Sequence, residues 1–348
     1  MSLRSRPALV LAALALLTLV TAVLAFGIGS VSIPPSATVR YLVTGDAGNH
    51  TTTVLLAEVR MPRVVTAIIA GAGLAVAGLL MQTLFANPLA DPYILGVSSG
   101  AGLGVALSVL GTGTAAGAFV TTIGVSGRLR TVVAAALGAF AVLLLVLALG
   151  RWVRSVVALL IIGVMIGSAV GAVIALLLAY ADPARIQKFV LWGLGSVNGT
   201  TRSDLWFLGI PVLIGIGLAG VLSPSLNVLL LGETYAASMG VAVRRLRTVA
   251  IIATALIAGA VTAFCGPIAF LGIAVPHLAR LALGRADHRL LLPASVLMGA
   301  VVCQVCAVIA LLPGSAGVLP LNVVTAVIGA PVVVAALLRS RTLAAGAA

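Results

Sequence analysis

Apolar residues run through this chain in long blocks, and polar residues are confined to the segments between them. The blocks reach about 20 residues without alternation, which is the length that an α-helix needs to cross a bilayer. Because a membrane β-strand alternates its two faces, the pattern predicts helices rather than a barrel. We predict an all-α polytopic membrane protein with about ten transmembrane helices, at residues 8–29, 62–85, 94–111, 131–150, 156–180, 204–222, 248–266, 269–283, 290–312 and 320–338.

Three connecting segments are long enough to form elements of their own. Residues 30–60 and 181–203 are predicted to lie outside, the second as an amphipathic piece along the surface, and residues 223–247 form the largest predicted inner loop. The eighth span is short and starts beside Pro267 and Gly272, so we expect a broken or re-entrant helix there.

Composition and charge agree with this assignment. The 348 residues are 62% hydrophobic and 8% charged, whereas a soluble domain carries about 25% charged residues. We therefore expect a single transmembrane domain over residues 1–348, in contact with the lipid bilayer. The net charge of +13 could suggest nucleic acid, but the Arg residues stand between apolar runs and no basic aromatic patch accompanies them. We predict no nucleic-acid partner.

The basic residues also predict an orientation. Arg4 and Arg6 precede the first apolar run, whose core is longer than that of a cleaved signal peptide, so an uncleaved first helix is favoured. With ten spans, twelve basic residues fall on the predicted inside and eight on the outside. By the positive-inside rule, both termini are expected in the cytoplasm, in a multi-pass protein of the cytoplasmic (plasma or inner) membrane.

Two glycine patterns could serve chemistry or packing. The segment GVSSG, from Gly96 to Gly100, fits the nucleophile pattern of serine hydrolases, but it lies in a predicted membrane helix rather than between a strand and a helix. Its glycine spacing is typical of close helix contact, and we predict no catalytic residue. The same spacing at Gly163, Gly167 and Gly171 leaves one face of the fifth span bare, either for packing or beside a transport path.

Two proline-containing motifs mark opposite membrane surfaces. The segment NPLADP, which includes Asn87, Pro88 and Leu89, cannot continue a helix and is expected at the inner mouth of a cavity. In RMPR, Arg60 and Arg63 are three residues apart and share a helix face at the outer surface. Interfacial anchoring explains this pair, and so does docking to acidic residues of an external partner.

The inner loop and several missing motifs point to a companion protein. Residues 226–247 carry two short amphipathic pieces hinged at Gly240, whose apolar faces would meet either a cytoplasmic protein or the lipid surface. No GxxxxGK[ST] phosphate loop occurs, and the spans carry almost no acids, so the energy source is expected on another chain. The pair Cys303 and Cys306 is read as packing rather than as a metal or redox site, and we predict no metal and no cofactor.

Taken together, these segments resemble the permease subunits of type II ABC importers, which take up iron-siderophores, haem and cobalamin. The resemblance covers nearly the whole chain, and its motifs stand in the family's order. They are RMPR, QTLFANPLADPYILGVSSGAG, LWGLGSVNG, LGETYAASMG, GPIAFLGIAVPHLARL, HRLLLP and the stretch around APVVVAALL.

The resemblance implies a transporter assembled from several chains. It implies a dimer of permeases, either homodimeric or heterodimeric, a cytoplasmic pair of ABC ATPases and an extracytoplasmic substrate-binding protein. Glu233, Ala237 and Gly240 take the ATPase-coupling role, Arg60 and Arg63 the docking role, and the turn Asn87–Leu89 the inner gate. Leu311 and Val318 stand where many relatives carry an Arg and a Glu, so docking would depend more on Arg60 and Arg63.

The expected function is import without any enzymatic step on this chain. We expect the permease to move a metal chelate inward, with an iron(III)-siderophore as the first choice of cargo and haem or cobalamin as the alternatives. An ion-coupled secondary carrier is the rival from another class, and the scarcity of intramembrane charge argues against it. A membrane hydrolase that uses Ser98 is the third hypothesis.

Overall fold

The computed structural model describes residues 5–29, 31–110, 127–153, 155–312 and 317–345, and in these ranges the chain is helical with no β-strand. The helices are α1 (Ser5–Gly27), α2 (Pro35–Thr44), α3 (His50–Val54), α4 (Met61–Leu84), α5 (Val97–Val109), α6 (Gly127–Gly150), α7 (Val156–Ala179), α8 (Pro183–Gly193), α9 (Asp204–Leu229), α10 (Glu233–Ser238), α11 (Val243–Cys265), α12 (Leu271–Leu283), α13 (His288–Ile309) and α14 (Leu321–Ala345). A π-helical stretch, Leu55–Arg60, joins α3 to α4, and a 3₁₀ turn, Pro92–Leu95, precedes α5.

The predicted all-α membrane fold is confirmed. Seven helical segments in the described ranges are long and apolar enough to cross a bilayer, and the third, eighth and tenth predicted spans correspond to the shorter apolar helices α5, α12 and α14. Helices α5 and α12 have 13 residues each, about 20 Å of rise, so neither crosses the 30 Å hydrocarbon layer alone. Arg4, Arg154 and the segment 111–126 lie outside the described residues.

Helix α4 is the centre of the bundle, and nearly all of its residues are buried. Its glycines let two neighbouring helices approach backbone to backbone. A Cβ atom added at Gly71 would lie 2.2 Å from the carbonyl oxygen of Gly299 in α13, and one at Gly78 would lie 1.9 Å from that of Gly272 in α12. Small residues are therefore required along both contacts, as in other membrane helix pairs.

A second glycine contact joins α5 to α6. Cβ atoms added at Gly100 and Gly104 would lie 2.5 and 1.9 Å from the carbonyl oxygens of Gly138 and Ala134. The interpretation of GVSSG as a packing motif is confirmed for this helix pair. Gly96, at the start of α5, has a φ of 75° and ends the preceding 3₁₀ turn, a left-handed conformation that suits glycine.

The eighth predicted span is separated from the seventh by a break in the helix. Helix α11 ends at Cys265, residues 266–270 are not helical, and Phe270 has a φ of 68° where α12 begins. Asn322, in α14, holds this break by donating to the carbonyl of Pro267 at 2.7 Å and accepting from the N–H of Ala269 at 2.9 Å. The backbone groups freed by the break therefore find protein partners, as membrane depth requires.

Three of the long helices leave most of their apolar surface uncovered. Only 22% of the apolar window of α1 is buried, with 11% for α7 and 28% for α9. Leu19, Leu176 and Leu213 are more than half exposed. Because exposing such large apolar surfaces to water is unfavourable, they face lipid or another membrane-embedded chain.

Candidate coupling, gate and docking sites

The inner loop contains α10, a short helix with exposed apolar side chains on it and at both of its ends. Leu231, Tyr235 and Met239 are each more than half exposed, while Ala236 is fully buried against the bundle. Helix α10 begins after Gly232 and ends before Gly240, and both glycines have positive φ, at 102° and 82°. The loop is thus a single helical turn and a half between two glycine hinges, presenting apolar side chains outward.

The three predicted coupling residues lie in different surroundings. The Glu233 carboxylate accepts a hydrogen bond from Arg247 at 2.8 Å and forms an ion pair with it. Ala237 is exposed on α10, and Gly240 has open space where a side chain would be. Glu233 therefore already has a partner within this chain, whereas Ala237 and Gly240 leave an uncovered surface.

The turn Asn87–Leu89 follows the C-terminal end of α4, the predicted inner end. The Asn87 side chain accepts the N–H of Leu89 at 2.9 Å, which closes the turn locally. The Pro88 carbonyl accepts a hydrogen bond from His277 Nε2 at 3.0 Å, so α12 helps to hold the turn in place. Leu89 itself is 42% exposed. The predicted gate is an ordered turn in which Pro88 and Leu89 are both exposed.

Asp91 lies between this turn and α5. Its carboxylate accepts the N–H of Tyr93 at 2.8 Å and thereby caps the 3₁₀ turn. Burial raises the pKa of the Asp91 carboxyl to about 6, and the Tyr93 hydrogen bond opposes this shift only in part. Tyr93 in turn accepts the N–H of Ile268 at 3.2 Å. The entry to α5 is therefore bonded to the break before α12.

A partly buried polar network joins the C-terminal ends of α4 and α9 to the N-terminal end of α13. The Asn227 carbonyl oxygen lies 2.8 Å from both the backbone nitrogen and Nδ1 of His288, and its amide donates to Asp287 at 2.6 Å. His288 Nε2 lies 2.8 Å from the Thr83 hydroxyl. The Arg289 N–H and the Asn227 amide hold the pKa of the Asp287 carboxyl below its usual range. Sequence analysis did not identify this network, because its members are up to 205 residues apart.

Arg280 and Gln82 form a second inner contact that the sequence did not reveal. Arg280 Nη1 donates to Gln82 Oε1 at 2.8 Å, and the Gln82 amide donates to the carbonyl of Ile273 at 3.1 Å. The motif residues QTL and HLAR indicate polar positions in apolar helices. Only the approach of α4 to α12 turns them into a pair.

Arg60 and Arg63 lie at the N-terminal end of α4, the predicted outer end, and their side chains turn toward the bundle. Arg60 is 2% exposed and Arg63 is 6% exposed. Arg60 donates to the carbonyls of Phe26 and Gly27 at 2.9 and 2.7 Å, and also to that of Val31. Arg63 donates to the carbonyls of Ala25 and Ile28, each at 2.6 Å. Both guanidinium groups therefore cap the end of α1, which supports the anchoring interpretation.

The three glycines of the fifth predicted span lie on α7 and meet different surroundings. A Cβ atom added at Gly163 would lie 2.6 Å from the carbonyl of Ile94, and one at Gly167 would lie 3.4 Å from the Ser99 hydroxyl. Gly171 has nothing within 4 Å of that position. Gly163 and Gly167 thus pack against the start of α5, and Gly171 borders open space.

The three cysteines are buried free thiols in the helices α11 and α13. In the described ranges, no group of three or more His, Cys, Asp and Glu side chains is close enough to hold a metal ion.

Comparison with known proteins places this architecture among transport permeases. The model of the FecCD transport family matches residues 17–339. The vitamin B12 import system permease protein BtuC of Vibrio cholerae is 37% identical over 289 residues, which is 82% of this chain and 83% of that protein. The BtuC protein of Klebsiella pneumoniae is 34% identical over 331 residues, covering 94% and 93% of the two chains.

A solved structure shares the fold at full length. It is described as an inward-facing conformation of a putative metal-chelate type ABC transporter. It aligns with a TM-score of 0.81 at 30% identity, covering 94% of this chain and 98% of that chain.

Proposed function

Because the chain belongs to the FecCD transport family, we propose that it is the transmembrane permease subunit of an ABC importer that carries a metal chelate inward. The observation that carries this proposal is the set of exposed apolar side chains on and beside α10, a short helix between two glycine hinges, in a chain that has no phosphate loop. In this proposal the chain makes and breaks no covalent bond. It provides the path and accepts motion from a separate ATPase pair.

The proposed assembly has three kinds of chain. Two permease subunits meet through exposed apolar faces of the kind that α7 presents, a pair of ABC ATPases binds α10 from the cytoplasm, and a binding protein delivers cargo outside. The relatives named for vitamin B12 import and the solved metal-chelate transporter support this arrangement. Both termini are then cytoplasmic, on the side where Glu233, Arg247 and the Asn87–Leu89 turn lie.

Cobalamin is the first cargo to test, because the BtuC relatives are named for vitamin B12 import at 34–37% identity. An iron(III)-siderophore, which was the first choice in the sequence analysis, stays the second candidate, and no residue described above selects between them. The deciding experiment reconstitutes the permease with its ATPase and binding protein and measures uptake of cyanocobalamin and of iron-siderophores. Uptake by the permease alone, driven by an ion gradient, would overturn the proposal.

The coupling role of Glu233, Ala237 and Gly240 is tested by co-purification with the ATPase. Gly240→Pro should abolish it, because the φ of 82° at Gly240 is closed to proline. Glu233→Arg should also weaken it. However, that change breaks the pair with Arg247, so the double variant Glu233→Arg with Arg247→Glu is the matched control. If the swap restores co-purification, Glu233 acts by positioning α10. If co-purification stays lost, its charge meets the ATPase directly.

We also propose that the outer end of α4, with Arg60 and Arg63, takes part in docking the binding protein. Because both guanidinium groups are bonded to carbonyls of the α1 end and the following residues, direct ion pairing would require them to leave those carbonyls. The double Glu variant should lose docking, while the double Lys variant should keep much of it, since the charge remains. Equal docking by the wild type and by a folded double Glu variant would contradict this role. Melting temperatures of both variants report the anchoring role separately.

A further inference from the structure

A cavity that the transport proposal leaves unused opens beside the inner loop. It has a volume of about 820 Å³ and lies between the last turn of α6, the first turn of α7 and the first turns of α11. This volume is in the range of sites that bind small organic molecules. The cavity is partly open rather than enclosed.

The lining changes from apolar to basic along the helix axes. Val146, Leu147 and Leu159 together with Ile251 and Ile252 line the part that lies deeper in the bundle. Arg151, Arg244 and Arg247 line the part nearer the helix ends, with Glu233 as the acidic residue among the lining side chains. Three guanidinium groups against one carboxylate leave this rim positive. The cavity therefore fits a molecule with an apolar body and an anionic head.

The position of the rim matches the headgroup level of a membrane. Trp152, which also lines the cavity, is 81% exposed at the end of α6, and tryptophans concentrate at the interface between hydrocarbon and water. Arg244 and Arg247 occupy the first turns of α11, where the helix dipole disfavours positive charge. An anion bound beside Arg244 would offset that unfavourable charge and would meet the N-terminus of a 23-residue helix.

We propose that this cavity binds an anionic phospholipid of the leaflet on its side, with the phosphate between Arg151 and Arg244 and an acyl chain along the apolar floor. That this leaflet is the cytoplasmic one rests on the proposed function, whereas the lipid site itself does not. Arg247 joins the site to Glu233 at 2.8 Å, so an occupied site bears directly on the start of α10. The ligand class follows from the lining alone, as for other basic pockets between membrane helices.

The test is lipid binding by the delipidated full chain in detergent, measured by native mass spectrometry during titration with phosphatidylglycerol and with phosphatidylcholine. We expect tight binding of phosphatidylglycerol and little of phosphatidylcholine. The variant Arg151→Gln with Arg244→Gln should bind phosphatidylglycerol about 30-fold more weakly, from roughly fivefold per basic residue. The matched control is Arg245→Gln with Arg289→Gln, which removes two exposed charges at the same end but outside the cavity.

A second variant tests the apolar floor without changing charge. Ile252→Trp should fill the cavity and weaken phosphatidylglycerol binding, while its melting temperature reports whether the fold is kept.

Equal phosphatidylglycerol binding by the double Gln variant and the wild type, or equal binding of phosphatidylcholine and phosphatidylglycerol, would overturn the proposal. Displacement of the lipid by inorganic phosphate would show that the rim binds a free anion, and loss of the lipid on adding the ATPase pair would assign the cavity to that interface. Either result would also overturn it. Because lipid binding is read without transport, a failure of the import proposal would not be mistaken for a failure here.

Discussion

The side chains of Arg60 and Arg63 carry positive charge at a predicted outer surface, yet both are buried. Their position at a helix start was predictable from RMPR, because Pro62 suits the first turn of a helix. Their partners were not, since the carbonyls that they bond belong to a helix end about 35 residues earlier in the chain. A buried guanidinium group is tolerated only when its N–H donors form hydrogen bonds. The last carbonyls of α1 accept these hydrogen bonds.

The raised pKa of Asp91 predicts how the stability of the protein changes with pH. Its pKa in the folded chain is about 6, above the ordinary 3.8, so the folded state keeps a proton that the unfolded state loses between about pH 4 and 6. Stability therefore falls as pH rises through this window, and the cost, on the order of 1 to 3 kcal/mol, is full at neutral pH. Asn at this position keeps the cap on Tyr93 without the charge.

We expect Asp91→Asn to raise the melting temperature in detergent by about 2 °C or more at about pH 7.5, and by much less at about pH 4.5. The control is Asp287→Asn, because the pKa of Asp287 is lowered and its charged form is stabilised. That variant should lose stability at about pH 7.5. A gain from Asp91→Asn that is equal at both pH values would contradict the assignment.

Among the elements, the long helices were predictable and the short ones only in part. The length of the apolar runs predicted the positions of α4, α11 and α13 well, because buried membrane helices are apolar all round. Pro267 and Gly272 indicated the break before α12, and the structure confirms it. The contacts between elements were not predictable. Glycine spacing indicates that a helix packs closely against a neighbour, but it does not show which helix that neighbour is.

The contact between α4 and α12 provides a test at this scale. Gly78→Ala would place a methyl group 1.9 Å from the carbonyl oxygen of Gly272. Backbone atoms cannot swing aside, so we expect a loss on the order of 1–3 kcal/mol or more, or failure to fold. The matched control is Gly217→Ala in α9, where nothing lies within 4 Å.

The control should be neutral or slightly stabilising, because alanine favours a helix by up to about 1 kcal/mol over glycine. Thermal unfolding in detergent and the yield of monodisperse protein measure both variants. Equal melting temperatures for Gly78→Ala and the wild type would mean that α4 and α12 can separate at no cost. The close approach would then not be required.

For the whole molecule, the class of protein followed from composition and span lengths, while the working parts depended on distant residues. The inner loop was identified by its apolar residues and by its likeness to a family motif. The network of Thr83, Asn227 and His288 was not, because a lone polar residue in an apolar span has no visible partner in the sequence. Only the folded structure brings them together: the Thr83 hydroxyl lies 2.8 Å from one ring nitrogen of His288, and the Asn227 carbonyl oxygen lies 2.8 Å from the other.

This network gives a prediction for the assembled transporter. Asn227→Ala removes both bonds to His288 and the bond to Asp287, so the inner ends of α9 and α13 should move independently. We expect ATP hydrolysis by the partner to persist, while cargo transported per ATP falls several-fold. Asn198→Ala, an exposed asparagine near the break before α12, is the matched control. An unchanged ratio of uptake to hydrolysis in a folded Asn227→Ala protein would contradict this role.

The location of Asn227 has a mechanical consequence. It lies six positions before Glu233, the first residue of α10, and Gly232 is the one glycine between the two residues. Motion of the loop would therefore reach the end of α9 through five residues of the chain. From there, the hydrogen bonds of the His288 imidazole would carry this motion to Thr83, four residues before Asn87. If the loop and the Asn87–Leu89 turn have the coupling and gate roles proposed above, three side chains connect the site that receives the motion to the site that opens.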